Sequence, residues 1–168
     1  MKTIGKVIFA ALIILIAFSC KKGDLLPKPT QTGANMMAAK VNGKVWQHRG
    51  CIGCMGLRVN YDDRILFGIT GDNPDQKIGI TLIISSLKSI GTYDLKLEGS
   101  NNNFGELYNS KENIIYLTSN SNNGKVTITK IDLTKKIISG TFEFTAEDEN
   151  NPSNTIRVTD GRFDVPFQ

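Results

Sequence analysis

From Lys125 to Phe167 apolar and polar positions alternate with a two-residue period almost without a break. Val126 and Ile128, Phe142 and Phe144, Ile156 and Val158, and Phe163, Val165 and Phe167 stand among Thr, Glu, Arg and Asp. Successive side chains of a strand point to opposite faces, so the pattern predicts strands with one buried and one wet side. Asp132-Leu133-Thr134-Lys135-Lys136 reads as a turn between two of them, and Glu147 to Asn154 as a long polar loop. Asp160-Gly161 allows two readings. As a two-residue hairpin it sets Val158 opposite Phe163, Ile156 opposite Val165 and Arg157 opposite Asp164. As a bulge it leaves Thr155 to Phe167 one bent strand, the reading favoured because such a strand would seal a sheet edge.

Upstream, Met37 to Val41 and Lys44 to His48 flank Asn42-Gly43, a dipeptide that accepts positive φ at both centres of a hairpin turn. Trp46 is expected to cap the core with one edge near solvent. Leu57 to Tyr61 and Arg64 to Thr70 read as a second hairpin around Asp62-Asp63, followed by a loop from Gly71 to Asp75. Ile78, Ile80, Leu82 and Ile84 alternate, and Ile83 is apolar too, which marks a central strand. Gly91 to Leu97 is another strand, with Tyr93, Leu95 and Leu97 on one face. Phe104 to Tyr108 and Ile114 to Thr118 form a short hairpin between Asn-rich polar loops at 100–103 and 119–124. Helix signals are nearly absent. About ten short strands with turn residues between them predict an all-β domain, an antiparallel β-sandwich or flattened β-barrel.

The N-terminus follows a different rule. Val7 to Phe18 is an unbroken apolar run behind Lys2 and Lys6, shorter than the roughly 20 residues a spanning helix needs and typical of a secretory signal. It ends in Ala17-Phe18-Ser19-Cys20, which resembles the lipobox of bacterial lipoproteins, with Ala17 where that pattern more often has Leu. The resemblance implies a signal peptide at 1–19, a lipidated Cys20, and a membrane-held protein that does not span the bilayer. Lys21 lacks the aspartate that retains many lipoproteins at the inner membrane, which favours the outer membrane; either face of it remains open. Residues 20–35, with two prolines and small polar residues in Gly23 to Asn35, have the composition of a flexible linker, and 36–168 form the β-domain.

Composition adds exclusions. With 40% hydrophobic residues the chain can build a core. The formal charge of +4 comes from 20 basic and 16 acidic residues; without Lys2 and Lys6 it is 18 against 16, or +2. That surplus does not predict nucleic-acid binding. Cys51-Ile52-Gly53-Cys54 is the suggestive spacing. Thioredoxin chemistry would place it at a helix start, and covalent haem would need histidine where Met55 stands. Zinc on Cys51, Cys54 and His48 falls short of four ligands. A tight disulfide, plausible in an exported chain, or two free thiols in a loop are the alternatives left. His48, the sole histidine, reads as a surface residue. Asp62-Asp63 and Glu147-Asp148-Glu149 lack calcium-loop spacing and read as solvated turns. No catalytic residue, metal site or cofactor is expected, and no residue is marked as ligand-binding.

Several short motifs follow one another along the chain: Val41-Asn42-Gly43 with Trp46, Gly91-x-Tyr93-x-Leu95, Ile138 to Phe144, and Thr159 to Val165. Together with the lipobox this combination resembles a family of uncharacterised Bacteroidota lipoproteins. The resemblance implies a secreted all-β domain of unknown function and supplies no catalytic residues. The expectation is a non-enzymatic binding or accessory module anchored to the membrane through Cys20, with a small ligand or envelope protein as partner. A structural or adhesive surface protein is the alternative, and an enzyme of unfamiliar type comes third.

Overall fold

The structure, a computed structural model, describes residues 25–50, 56–62, 66–98 and 101–168. Every regular element among them is a strand: β1 (Met36–Val41), β2 (Lys44–Gln47), β3 (Arg58–Asp62), β4 (Leu66–Asn73), β5 (Ile78–Ser85), β6 (Gly91–Glu98), β7 (Asn101–Asn109), β8 (Ile114–Leu117), β9 (Gly124–Asp132), β10 (Ile137–Asp148) and β11 (Asn151–Pro166). All pairings are antiparallel. The order is β2-β1-β11-β10-β9-β6-β7-β5-β4-β3, and β8 joins β7 to β10. A small ring of β6, β7, β8, β10 and β9 therefore closes on itself. Two strands make closure possible by changing partner: β6 runs along β9 through Leu95 and then along β7 from Lys96, and β8 is shared between β7 and the end of β10. The wings β11-β1-β2 and β5-β4-β3 extend from the ring, so the molecule is the expected all-β, barrel-like fold.

The inward positions of the wings meet in one core. Phe67 of β4 lies 5.6 Å from Phe163 of β11, Phe163 lies 6.4 Å from Phe142, and Tyr61 packs 4.6 Å from Phe167. Trp46 departs from the expected solvent edge, being 1% exposed. Its Nε1 donates to the Ile78 carbonyl at 3.1 Å, which satisfies the indole's one polar group and lets the whole ring enter the core.

The bulge reading of Asp160-Gly161 is the one observed. Phe142 and Phe144 of β10 pair with Gly161 and Val158, and Ala38 and Lys40 of β1 pair with Arg162 and Thr159. One extra residue of β11 thus stands against both neighbours. Asp160 takes φ +52°, and a Cβ on Gly161 would come within 2.5 Å of Phe142. The insertion reverses the strand's parity, so Val158 and Phe163 both face inward although an odd number of steps separates them. At the Asn42-Gly43 turn both φ angles are positive, +47° and +80°. Asn42 also exchanges hydrogen bonds of 2.8 and 2.9 Å with the backbone of Arg157.

Three segments expected as loops are strand. Residues 101–103 open β7, 71–73 extend β4, and β10 and β11 approach until only Glu149 and Asn150 turn between them. The physical reason is shared. Asn103 Oδ1 accepts from the Ser85 amide, Asn73 bonds the Gln47 carbonyl and the Gln76 amide, and Asp148 accepts from the Asn150 amide and from Asn154. These side chains are nearly buried and satisfy backbone groups at strand ends, work that composition alone cannot separate from solvation. Leu97, expected on the apolar face of β6, is 39% exposed.

Phe142 and Phe144 are each 3% exposed, whereas Glu143 is half exposed and paired with Lys125. Truncating either phenylalanine to alanine should cost about 3–5 kcal/mol, and Glu143→Ala under about 0.5 kcal/mol. Urea unfolding midpoints check this; equal midpoints would mean that the strand faces are inverted.

Candidate functional site

The outward face of the β9-β10-β11 sheet carries Lys125, Thr127 and Lys130, then Ser139, Thr141 and Glu143, then Arg162 and Asp164, in cross-strand register. Residues 27–34 lie across it as a strap. Arg162 Nη1 donates to the Pro27 carbonyl at 2.9 Å, and Lys130 Nζ to the Gln31 carbonyl at 2.9 Å. Asp164, wholly buried, holds the strap most firmly. Its Oδ2 accepts from Thr30 Oγ1 at 2.6 Å, the Thr32 amide at 2.9 Å and the Ala34 amide at 3.1 Å. Its Oδ1 accepts from the Gly33 amide at 2.9 Å and Ser139 Oγ at 2.8 Å. Gly33 has φ +77° with Ile137 at 3.1 Å from where a Cβ would stand, so the chain can curl its amides around the carboxylate.

Burial is the largest single influence on this carboxyl and pushes its pKa up. The hydrogen bonds from Thr30, Ala34, Ser139 and Gly33 together outweigh it and hold Asp164 well below the usual carboxylate range. The segment whose composition reads as a linker is therefore pinned over its described part. Met36 and Ala38, on the outward side of β1, are buried as well, at 8% and 0% exposure.

Beside the strap the same face is open. One groove of about 310 Å³ has Pro29 of the strap as a wall and Thr127, Thr141, Glu143 and Arg162 on its floor and sides. A second, of about 350 Å³, is lined by Asp94, Asn123, Thr145, Arg157 and Thr159. Lys125 and Glu143 belong to both and pair at 3.0 Å. Thr92 and Thr127 share a hydrogen bond of 2.9 Å between their hydroxyls. The surface offers hydroxyls, amides and charged side chains, one pair of which is mutually neutralised, a chemistry suited to hydrogen-bonded recognition.

Cys20, Cys51 and Cys54, the lipidation and disulfide residues expected from the sequence, lie outside the described residues, as does Asp63. His48 is half-buried rather than on the surface. Its amide donates to the Met37 carbonyl and its Nε2 stands 3.2 Å from the Asn35 carbonyl, so the end of the strap folds against it. Its Nδ1 is buried without a hydrogen-bond partner. The acidic run at 147–149 is also more ordered than a solvated loop. Glu147 accepts from Asn122 Nδ2, and Asp148 is buried in its turn. Burial, and then the charge of Glu149, push the Glu106 carboxyl up. Among the described residues no three His, Cys, Asp or Glu side chains stand together to hold a metal. Asp164 escaped the sequence reading because it occupies an ordinary outward position; the excess of Thr and Gly in Thr30 to Gly33 was the available signal.

Fold and face together define an all-β domain with a small closed ring at its centre and polar, open grooves on one side. The chain belongs to the family described as a domain of unknown function, DUF6252, whose model matches residues 34–166, from the last strap amide to the end of β11. No curated protein and no solved structure matches it.

Because Asp164 is acidified by folding, protons bind the unfolded chain more readily. Its stabilisation should be complete above about pH 4, the usual carboxylate range, and be lost as pH falls further towards its folded-state value. Asp164→Asn should cost about 2 kcal/mol or more at pH 7 and flatten that acid loss. Chemical denaturation between pH 7 and 3 measures both, and parallel pH profiles for the two proteins would contradict the role.

We propose that Cys51 and Cys54 form a disulfide, as export to an oxidising compartment would allow. Closing two intervening residues removes little chain entropy, so the bond should contribute roughly 2 kcal/mol or less, and the double Ser variant should fold almost normally. Unreduced mass spectrometry with thiol alkylation and metal analysis decides the matter. Two free thiols would reject the bond, and stoichiometric zinc would bring His48 Nδ1 forward as a ligand.

Proposed function

We propose that the protein is a lipoprotein of the bacterial cell envelope, held at the outer membrane by acyl chains on Cys20, and that its β-domain binds a ligand or partner rather than catalysing a reaction. The carrying observation is the apolar run from Val7 to Phe18 ending directly in Ser19-Cys20. A small residue before a cysteine suits cleavage at that bond, and the thiol is the atom that a diacylglyceryl group would alkylate. Two or more acyl chains give stable attachment where one is marginal. The grooves lined by Thr, Lys, Glu and Arg support the binding half of the reading, since they set hydroxyls and charged side chains side by side, Lys125 and Glu143 paired at 3.0 Å among them.

Cys20→Ala should leave the chain uncleaved or release it from the membrane fraction, and the wild type should gain the mass of its acyl chains. Fractionation with intact-mass measurement tests this. A variant that stays with the membrane at the same mass as the wild type would refute the anchor.

A further inference from the structure

The strap determines where the chain leaves the domain. Upstream of the Pro27 contact with Arg162, Leu25 lies at the outer edge of the sheet, in a groove of about 340 Å³ with Val45, Gln47, Arg49, Asp75 and Gln76. These residues belong to β2, to the chain just after it and to the β4–β5 turn. Leu25 is 72% exposed, a large apolar side chain turned to solvent. Lys28, three residues along the chain from Leu25, and Lys44, next to Val45, are exposed, and Arg49 in the groove is paired with Asp75 at 2.9 Å.

Chain length then limits the geometry. Leu25 follows Cys20 by five residues, which reach at most about 17 Å when fully extended. Were 20–35 free throughout, the reach to Met36 would be about 55 Å. The Asp164 cradle therefore removes most of the slack.

We infer that the β2 edge, with Leu25 and the β4–β5 turn, is a bilayer-facing surface, and that the strap holds it against lipid headgroups instead of letting the domain roam on its tether. The inference rests on the lipid-anchor reading of Cys20 and adds to it an orientation and a partner, a headgroup surface of anionic character. An exposed apolar side chain with exposed lysines close in sequence suits that partner, Leu25 sitting at the level of the headgroups and Lys28 and Lys44 neutralising them.

Trp46 is the one tryptophan and sits in β2 between Val45 and Gln47, so it reports on this edge directly. The full lipidated chain, purified from membranes, is reconstituted into anionic vesicles containing a dansyl-labelled headgroup lipid, and energy transfer from Trp46 is measured with flotation on the same sample. With a reach of only five residues, Trp46 emission should fall by at least about half. Inserting twelve Gly/Ser residues between Gly23 and Asp24 leaves the cradle intact but slackens the tether, and should cut the transfer at least about twofold. Asp164→Asn, where it folds, should do the same by freeing the strap. A wild type that floats with unquenched Trp46, or an insertion variant that transfers as well as the wild type, would overturn the orientation while leaving the anchor standing. A wild type that does not float would overturn the anchor and the orientation together.

Discussion

Asp164 is an ionised carboxylate without solvent, and the arrangement around it follows from that condition. Removing such a group from water costs several kcal/mol unless donors replace the lost hydration. Three amides and three hydroxyls do so, and all but Ser139 come from residues 30–34, more than 125 positions away in the chain. The strap cannot lift without leaving the charge stranded, and the charge cannot be protonated at ordinary pH because the donors favour its ionised form. The first described residues and the last strand are thus one cooperative unit.

That unit depends in turn on the bulge of β11. This strand pairs with β1 on one side and β10 on the other, and both partners skip a residue at Asp160-Gly161. Before the bulge, Ile156 and Val158 face the core; after it, Phe163 and Val165 do. The parity change is what turns Arg162 and Asp164 outward in register with Thr141 and Ser139. Without the extra residue one of the two apolar pairs would face the strap and Asp164 would point at Phe67. A local irregularity therefore serves both the core and the face that receives the N-terminal segment.

The alternation from Lys125 to Phe167 made the strands and their inner face legible, and the need to seal a sheet edge favoured a bent strand over a hairpin at Asp160-Gly161. Asn42-Gly43 specified its turn through the one property, positive φ at two positions, that few dipeptides share. Polar residues were harder to read. Asn73, Asn103 and Asp148 resemble loop residues because hydrogen bonding to solvent and to a strand end call for the same chemistry. Trp46 was expected at the rim because its partner, the Ile78 carbonyl, is 32 positions distant and leaves no trace in local pattern. The strap was hidden for the same reason: prolines and threonines mark a linker, and only the distant carboxylate makes them a docked segment. The split pairings of β6 and β8, which close the ring, arise from tertiary geometry that two-residue periodicity does not encode.

The strap also shapes the open face of the sheet, since it forms a wall of one groove through Pro29. Strap, groove and core are then mechanically continuous. Amide hydrogen exchange at Thr32, Gly33 and Ala34 tests that continuity most directly. If Asp164 holds the strap as described, these three amides should exchange orders of magnitude more slowly than an unstructured peptide and in the same range as amides of β11. Exchange at the unprotected rate, with β11 still protected, would show that the strap is a free tether and that the buried carboxylate must be satisfied in some other way.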